Sequence, residues 1–255
     1  MLNERPENIE TAIVGGSGLY QLDEFEEVDR YSLITQWGKP SSDIMVMNTG
    51  AGHVAFLTRH GAQHNIPPHN VNYRANLWAL KECGVKRIFA VAVVGGITEQ
   101  MSPETLLIPN QIIDYTYGRK HTFFDSGEDA VSHIDFTEPY APSLRAQLLA
   151  SAEKQSINVI DGGVYAATQG PRLETAAEIQ KLLRDGADIV GMTGMPEASL
   201  ARELGIDYAC CALVVNWAAG CAGTTKIDHD AMQNVIEKGM VQVKAILKNC
   251  ININN

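Results

Sequence analysis

The chain has 255 residues, 45% of them hydrophobic and 20% charged, with a formal net charge of −10. That length supports a sizeable core in a single α/β domain, and the acidic balance disfavours broad contact with nucleic acid or an anionic membrane while leaving room for a local cationic pocket. The five cysteines, Cys83, Cys210, Cys211, Cys221 and Cys250, are odd in number and form no CxxC pair, which argues against a disulfide framework or a zinc cluster and fits a reducing, cytoplasmic compartment.

The first stretch, "MLNERPENIE", is polar and has no apolar segment of the kind a signal peptide needs. "ETAIVGG" (10–16) reads as a buried strand running into a glycine turn. "IMVMNTGAGHVAFLTRHG" (44–61) reads as two strands around "GAGH", a hairpin pattern. "HNVNYRANLWALKECGV" predicts a helix closed by Gly84. "RIFAVAVVGGI" (87–97) is almost wholly apolar, as a strand buried on both faces is. Residues 118–140 mix His, aromatics and acids without periodicity and read as a long functional loop.

"PSLRAQLLASAEKQ" predicts an amphipathic helix and "GGVYAAT" a short strand. In "TQGPRLETAAEIQ", Gly170-Pro171 is turn chemistry. Thr175 followed by Glu178 is a capping box for the helix "ETAAEIQKLLRDGA". "DIVGMTG" reads as a strand, with Pro196 suited to the first position of the next helix. "DYACCALVVN" (207–216) is another buried strand. The last helix is expected to start near Asp228, which can serve as its cap. No stretch is apolar for long enough to predict a membrane span. Strands alternate with helices, which predicts one α/β domain on a largely buried sheet. Functional groups are then expected where the apolar runs stop, at Ser17, Arg59-His60, Gly95, Thr193 and Asn216.

These positions have plain readings as well as chemical ones. "GGSG" (15–18) can cradle an anion on its backbone N–H groups, or can be a simple tight turn; it is neither a Walker A motif nor GxGxxG, and no acidic ribose reader stands at the expected spacing, which argues against a dinucleotide site. Arg59 and His60 make an oxyanion fork or a salt bridge with a bonded histidine. His60, His64 and His69 lack a cysteine or nearby carboxylate to complete a metal set, and Pro67-Pro68 breaks any common helical face. Met192 reads as core packing or ligand contact. Asn216 is a turn former or a ligand reader.

In order along the chain, "GGSGL", "TRHG", "HNIPPHNVNYRANLWAL", "VVGGI", "GPRLETAAE", "GMTGMPEASLA" and "CALVVN" resemble the trimeric purine nucleoside phosphorylase and methylthioadenosine phosphorylase family. The resemblance implies a single domain over 1–255, an α/β fold with a mixed central β-sheet flanked by helices, and a homotrimer. It implies a purine nucleoside substrate, inorganic phosphate as co-substrate, and no metal or other cofactor. It assigns phosphate to Ser17, Arg59, His60, Thr193 and the backbone near Val93. Ala92 stands where the family has Asn or Thr, so one side-chain donor is absent. Met192 matches the residue that packs on the ribose, and Leu173 falls in the substrate pocket beside Glu174.

The base pocket divides the family. Relatives that act on 6-aminopurines carry Asp and Ser where this chain has Asn216 and Glu174; the pair found here resembles the 6-oxopurine branch. The chemistry agrees. Asn216 can donate to the 6-oxygen and accept from a protonated nitrogen 7, while Glu174 accepts from nitrogen 1. Asn216 and His60 are the expected catalytic residues. At the other end of the nucleoside, Ile227 falls near the histidine that holds a 5′-hydroxyl in the 6-oxo-specific enzymes, which suits a methylthio group. His229, two residues on, would restore the hydroxyl reading with a small gap. His133 matches a residue that reaches into a neighbouring subunit's site. Together these features resemble methylthioinosine-cleaving phosphorylases, with inosine/guanosine and methylthioadenosine phosphorylases as alternatives.

Overall fold

The structure is a computed structural model, described over residues 9–125 and 131–252. The first predicted strand forms β1 (Thr11–Gly15), wholly buried. The hairpin forms as β3 (Ile44–Asn48) and β4 (His53–Thr58), paired antiparallel with Asn48 opposite His53. Between β1 and β3 in sequence, "EEVDRY" forms β2 (Glu26–Tyr31), which pairs β3 at the sheet edge. Five of its six residues are exposed, so no apolar alternation marks it, and its charges suit an edge that must not recruit another strand.

Asn72 caps α1 (Tyr73–Glu82) by accepting from Ala75 N–H. The apolar run that follows is β5 (Arg87–Gly96), the spine of the sheet. Two short strands, β6 (Leu106–Ile108) and β7 (Gln111–Asp114), precede the predicted loop; among its described residues 118–140 contains no helix or strand. Then come α2 (Pro142–Lys154), β8 (Val159–Asp161), β9 (Val164–Ala167) and α3 (Ala176–Arg184) with its complete capping box. β10 (Ile189–Gly191) leads into α4 (Gly194–Glu203), where Met195 is extended and regular helix follows from Pro196. β11 (Asp207–Trp217) and α5 (His229–Asn252) close the chain, the Asp228 carboxylate accepting from Asp230 and Ala231 N–H groups.

Among the described residues eleven strands make one mixed sheet. β5 runs parallel to β1 and β11 and antiparallel to β10. Alternation along β5 and β11 divides the core. Ile88, Ala90, Tyr208 and Cys210 pack on the side that holds Leu77 of α1 and Leu200 of α4, whereas Phe89, Val91, Ala209 and Cys211 pack with Leu148 of α2 and Leu247 of α5. This is an α/β sandwich of helices on both faces of a buried sheet. All five cysteines are free thiols, four of them buried. Among the described residues no helix is long and apolar enough to cross a membrane.

Candidate active site

The parallel strands β1, β4, β5 and β11 end on one side of the sheet, and the chain leaving each end turns around a cavity of about 430 Å³. Antiparallel β10, with Ile189 opposite Gly96 and Val190 opposite Gly95, runs back along β5 and delivers Met192 and Thr193 to the same space. Ser17, Arg59, His60, Val93, Leu173, Glu174, Met192, Thr193, Asn216 and Ile227 all line it. His133 does not; its side chain is exposed. Ala92 lines the wall beside Val93, so the missing donor is missing at the cavity itself.

At the oxyanion end, "GGSG" is both things the sequence allowed. Leu19 N–H donates to the Gly16 carbonyl across a turn, and Ser17 in that turn faces the cavity. Gly16 is required for closeness: a Cβ there would lie 2.6 Å from the Val91 carbonyl oxygen and 3.0 Å from an Arg59 guanidinium nitrogen.

Among the described residues Arg59 is the largest fully buried side chain, 1% exposed. The salt bridge the sequence allowed is present, but in the core rather than at the surface. Nε and Nη2 grip the Glu197 carboxylate at 2.6 and 2.7 Å, Nη1 donates to the Val91 carbonyl at 3.0 Å, and Tyr208 OH donates to Glu197 at 2.8 Å. Burial works against the guanidinium charge; the Glu197 carboxylate outweighs it and holds Arg59 above its ordinary range. Three of the five guanidinium N–H groups are engaged, which leaves two for a ligand.

His60 donates from Nδ1 to the Ile66 carbonyl at 2.9 Å, because a carbonyl can only accept. Burial, with the adjoining Arg59 charge, pushes it down to about 4. The ring is therefore neutral near pH 7 and Nε2 is a lone-pair acceptor, matched to a protonated phosphate oxygen. Thr193 is buried and makes no capping bond with its hydroxyl.

The base end is built from the ends of β11, which pairs β5, and of β9, which pairs β10. Register in β11 shifts between Val214, opposite Val94, and Asn216, opposite Gly95, so Val215 is an inserted residue. The bulge takes Asn216 out of the core alternation. Its amide NH₂ donates to the Trp217 carbonyl at 2.7 Å. Only the NH₂ end can face a carbonyl, so the amide is oriented with one N–H and the carbonyl oxygen left for a ligand. Across the cavity, the Thr168 hydroxyl donates to Glu174 Oε1 at 2.6 Å, which supports the carboxylate as an acceptor. Gly170, at φ +60°, adjoins Met192: a Cβ there would lie 2.4 Å from the Met192 sulfur. Arg172, unassigned from sequence, forks onto Glu178 at 2.8 and 2.7 Å and so braces the capping box; with the Thr175 N–H it holds Glu178 down at about 2.

Ile227 and Met232 supply the apolar end. His229, the alternative to Ile227, is the first residue of α5, exposed and not part of the lining. Sequence reasoning missed Glu197, Thr168, Arg119 and Met232. For Glu197 a signal existed: a lone carboxylate within the otherwise small and apolar run "GMPEASLA" demands a cation.

The phosphorylase superfamily model matches residues 10–252. The chain is 49% identical over 220 residues to a probable S-methyl-5′-thioinosine phosphorylase of Xanthomonas campestris, covering 86% of this chain and 88% of that protein. It is 45% identical over 232 residues to the 6-oxopurine nucleoside phosphorylase of Pyrococcus furiosus, covering 89% and 86%. Its fold is similar to methylthioadenosine phosphorylase from Schistosoma mansoni in complex with adenine, with a TM-score of 0.91, 33% identity, and coverage of 96% and 92%. A family match over nearly the whole chain, with relatives of this identity, leads to one conclusion: the chain belongs to the phosphorylase superfamily.

Proposed function

We propose that the protein catalyses phosphorolysis of S-methyl-5′-thioinosine, a pentosyl transfer in purine salvage that yields hypoxanthine and 5-methylthioribose 1-phosphate. The observation that supports it best is the lining of one cavity by Glu174, Asn216 and Ile227. The first two match a 6-oxopurine and the third matches an apolar 5′ substituent. The similarity to probable S-methyl-5′-thioinosine phosphorylases supports the same reading.

In this mechanism Ser17, Arg59, His60 and Thr193 orient phosphate under the anomeric carbon, and Met192 packs on the ribose. As the bond to the purine breaks, the sugar develops oxocarbenium character. Asn216 accepts from nitrogen 7 and donates to the 6-oxygen, stabilising the departing base. Adenine presents the reverse polarity at both base positions, so the mismatch gives discrimination on the order of 10³-fold. We further propose a cytoplasmic homotrimer in which His133 reaches the neighbouring site; its exposure outside its own chain's cavity is compatible with that role.

The test is to incubate purified protein with methylthioinosine, methylthioadenosine and inosine, with and without phosphate, and to quantify free base. Fastest phosphate-dependent release from methylthioinosine is expected. Preference for inosine would reassign the 5′ end, preference for methylthioadenosine would reassign the base pocket, and no phosphate dependence would overturn the reaction.

A further inference from the structure

Arg119 lies in the irregular stretch 118–125, yet it is only 9% exposed. It does not line the cavity. Its guanidinium instead binds groups behind the cavity, including the backbone of Met192, which lines it, and of Thr168, which bonds the lining residue Glu174. Nη1 donates to the carbonyls of Met192 at 2.9 Å and Met195 at 2.6 Å, and to Tyr73 OH at 3.2 Å. Nη2 donates to the carbonyls of Thr168 at 3.2 Å and Gln169 at 2.9 Å, and Nε to the Gln169 side-chain oxygen at 3.1 Å. Every one of these acceptors is neutral. A buried cation held by neutral acceptors alone is costly to desolvate, and its geometry is correspondingly strict.

The two groups of carbonyls belong to different strand ends. Thr168 follows β9 and bonds Glu174, the base-reading carboxylate. Met192 follows β10 and precedes Thr193, at the ribose and phosphate end. Resting on the phosphorolysis reading above, we infer that Arg119 is a positioning residue: it clamps the wall that reads the base to the wall that holds ribose and phosphate, and so sets the distance between Glu174 and the reacting centre. A planar fork can span both groups of carbonyls. A lysine ammonium is a point donor and cannot.

The experiment compares wild type, Arg119→Lys and Arg119→Ala, each shown to be folded by circular dichroism and thermal melting. For Arg119→Lys, kcat/KM with methylthioinosine should fall on the order of 10²-fold, and its ratio to kcat/KM with methylthioadenosine should fall about tenfold. Millimolar guanidinium ion should restore activity to Arg119→Ala. Calorimetric binding of hypoxanthine and adenine reads the same clamp without turnover: wild type should prefer hypoxanthine and Arg119→Lys should lose that preference. Folded variants that keep the base preference in both assays, with no guanidinium rescue, would overturn the inference and leave Arg119 a purely structural residue. A wild type that releases no base with phosphate would instead refute the phosphorolysis reading, and the binding comparison would still decide the clamp.

Discussion

Arg59 and Glu197, 138 residues apart in sequence, form a bidentate ion pair whose side chains are 1% and 0% exposed. The pair joins the turn after β4 to α4 beneath the oxyanion end of the cavity. Removing one partner strands the other charge in the core. Glu197→Ala should therefore lose about 3–5 kcal/mol of stability, measured by chemical denaturation, and the phosphate KM of any folded fraction should rise.

Asn216 is expected to stabilise the leaving purine. Asn216→Ala should lower turnover on the order of 10²-fold or more, and steady-state kinetics near wild type would refute that role. Asn216→Asp should also be impaired, because its carboxylate would face the Trp217 carbonyl that now accepts from the amide. Combining Asn216→Asp with Glu174→Ser should still raise the ratio of methylthioadenosine to methylthioinosine cleavage; an unchanged ratio would count against the pocket assignment.

The Thr168 hydroxyl is the support of Glu174. Thr168→Val keeps the shape and removes the donor. With a charged acceptor, the loss should be about 1.5–3 kcal/mol, seen as a tenfold or greater fall in kcat/KM for the 6-oxo substrate. Thr168→Ser, which keeps the hydroxyl donor, should retain most of the activity.

His60 makes a signed prediction for pH. Its folded value of about 4 lies below the ordinary 6.5, so the unfolded chain binds a proton more readily. Its contribution is full above the ordinary value and is lost as pH falls through the window from 6.5 to 4. Over that window wild type should lose about 3 kcal/mol from this group. Denaturant titrations at several pH values on wild type and His60→Asn should show the acid slope reduced in the variant.

Ile227 sets the 5′ preference. Ile227→His supplies a partner for a 5′-hydroxyl and should raise the inosine-to-methylthioinosine ratio of kcat/KM by about tenfold, read by competition between the two substrates.

Much of the site was legible because most of its residues stand where an apolar run stops. Arg59, Thr193 and Asn216 follow or end buried strands, and that is a local pattern. Their partners were not legible. Glu197 meets Arg59, and Arg119 meets Met192, only through the order in which strands are laid side by side, which no local window contains. β2 escaped notice for another reason: it is held by backbone pairing to β3 while its side chains face solvent, so its sequence carries no apolar period. Gly170-Pro171 was readable as a turn, but its closeness to the Met192 sulfur belongs to tertiary packing.

The extra residue at Val215 has a consequence for how substrate preference can change. Before it, each side chain from Tyr208 to Val214 is committed to one helical layer or the other; Leu213 and Val214 are fully buried on opposite faces. After it, Asn216 belongs to neither layer. Substitution at this position can therefore alter which purine is read while both layers keep their packing, and recognition and foldability become separable along a single strand.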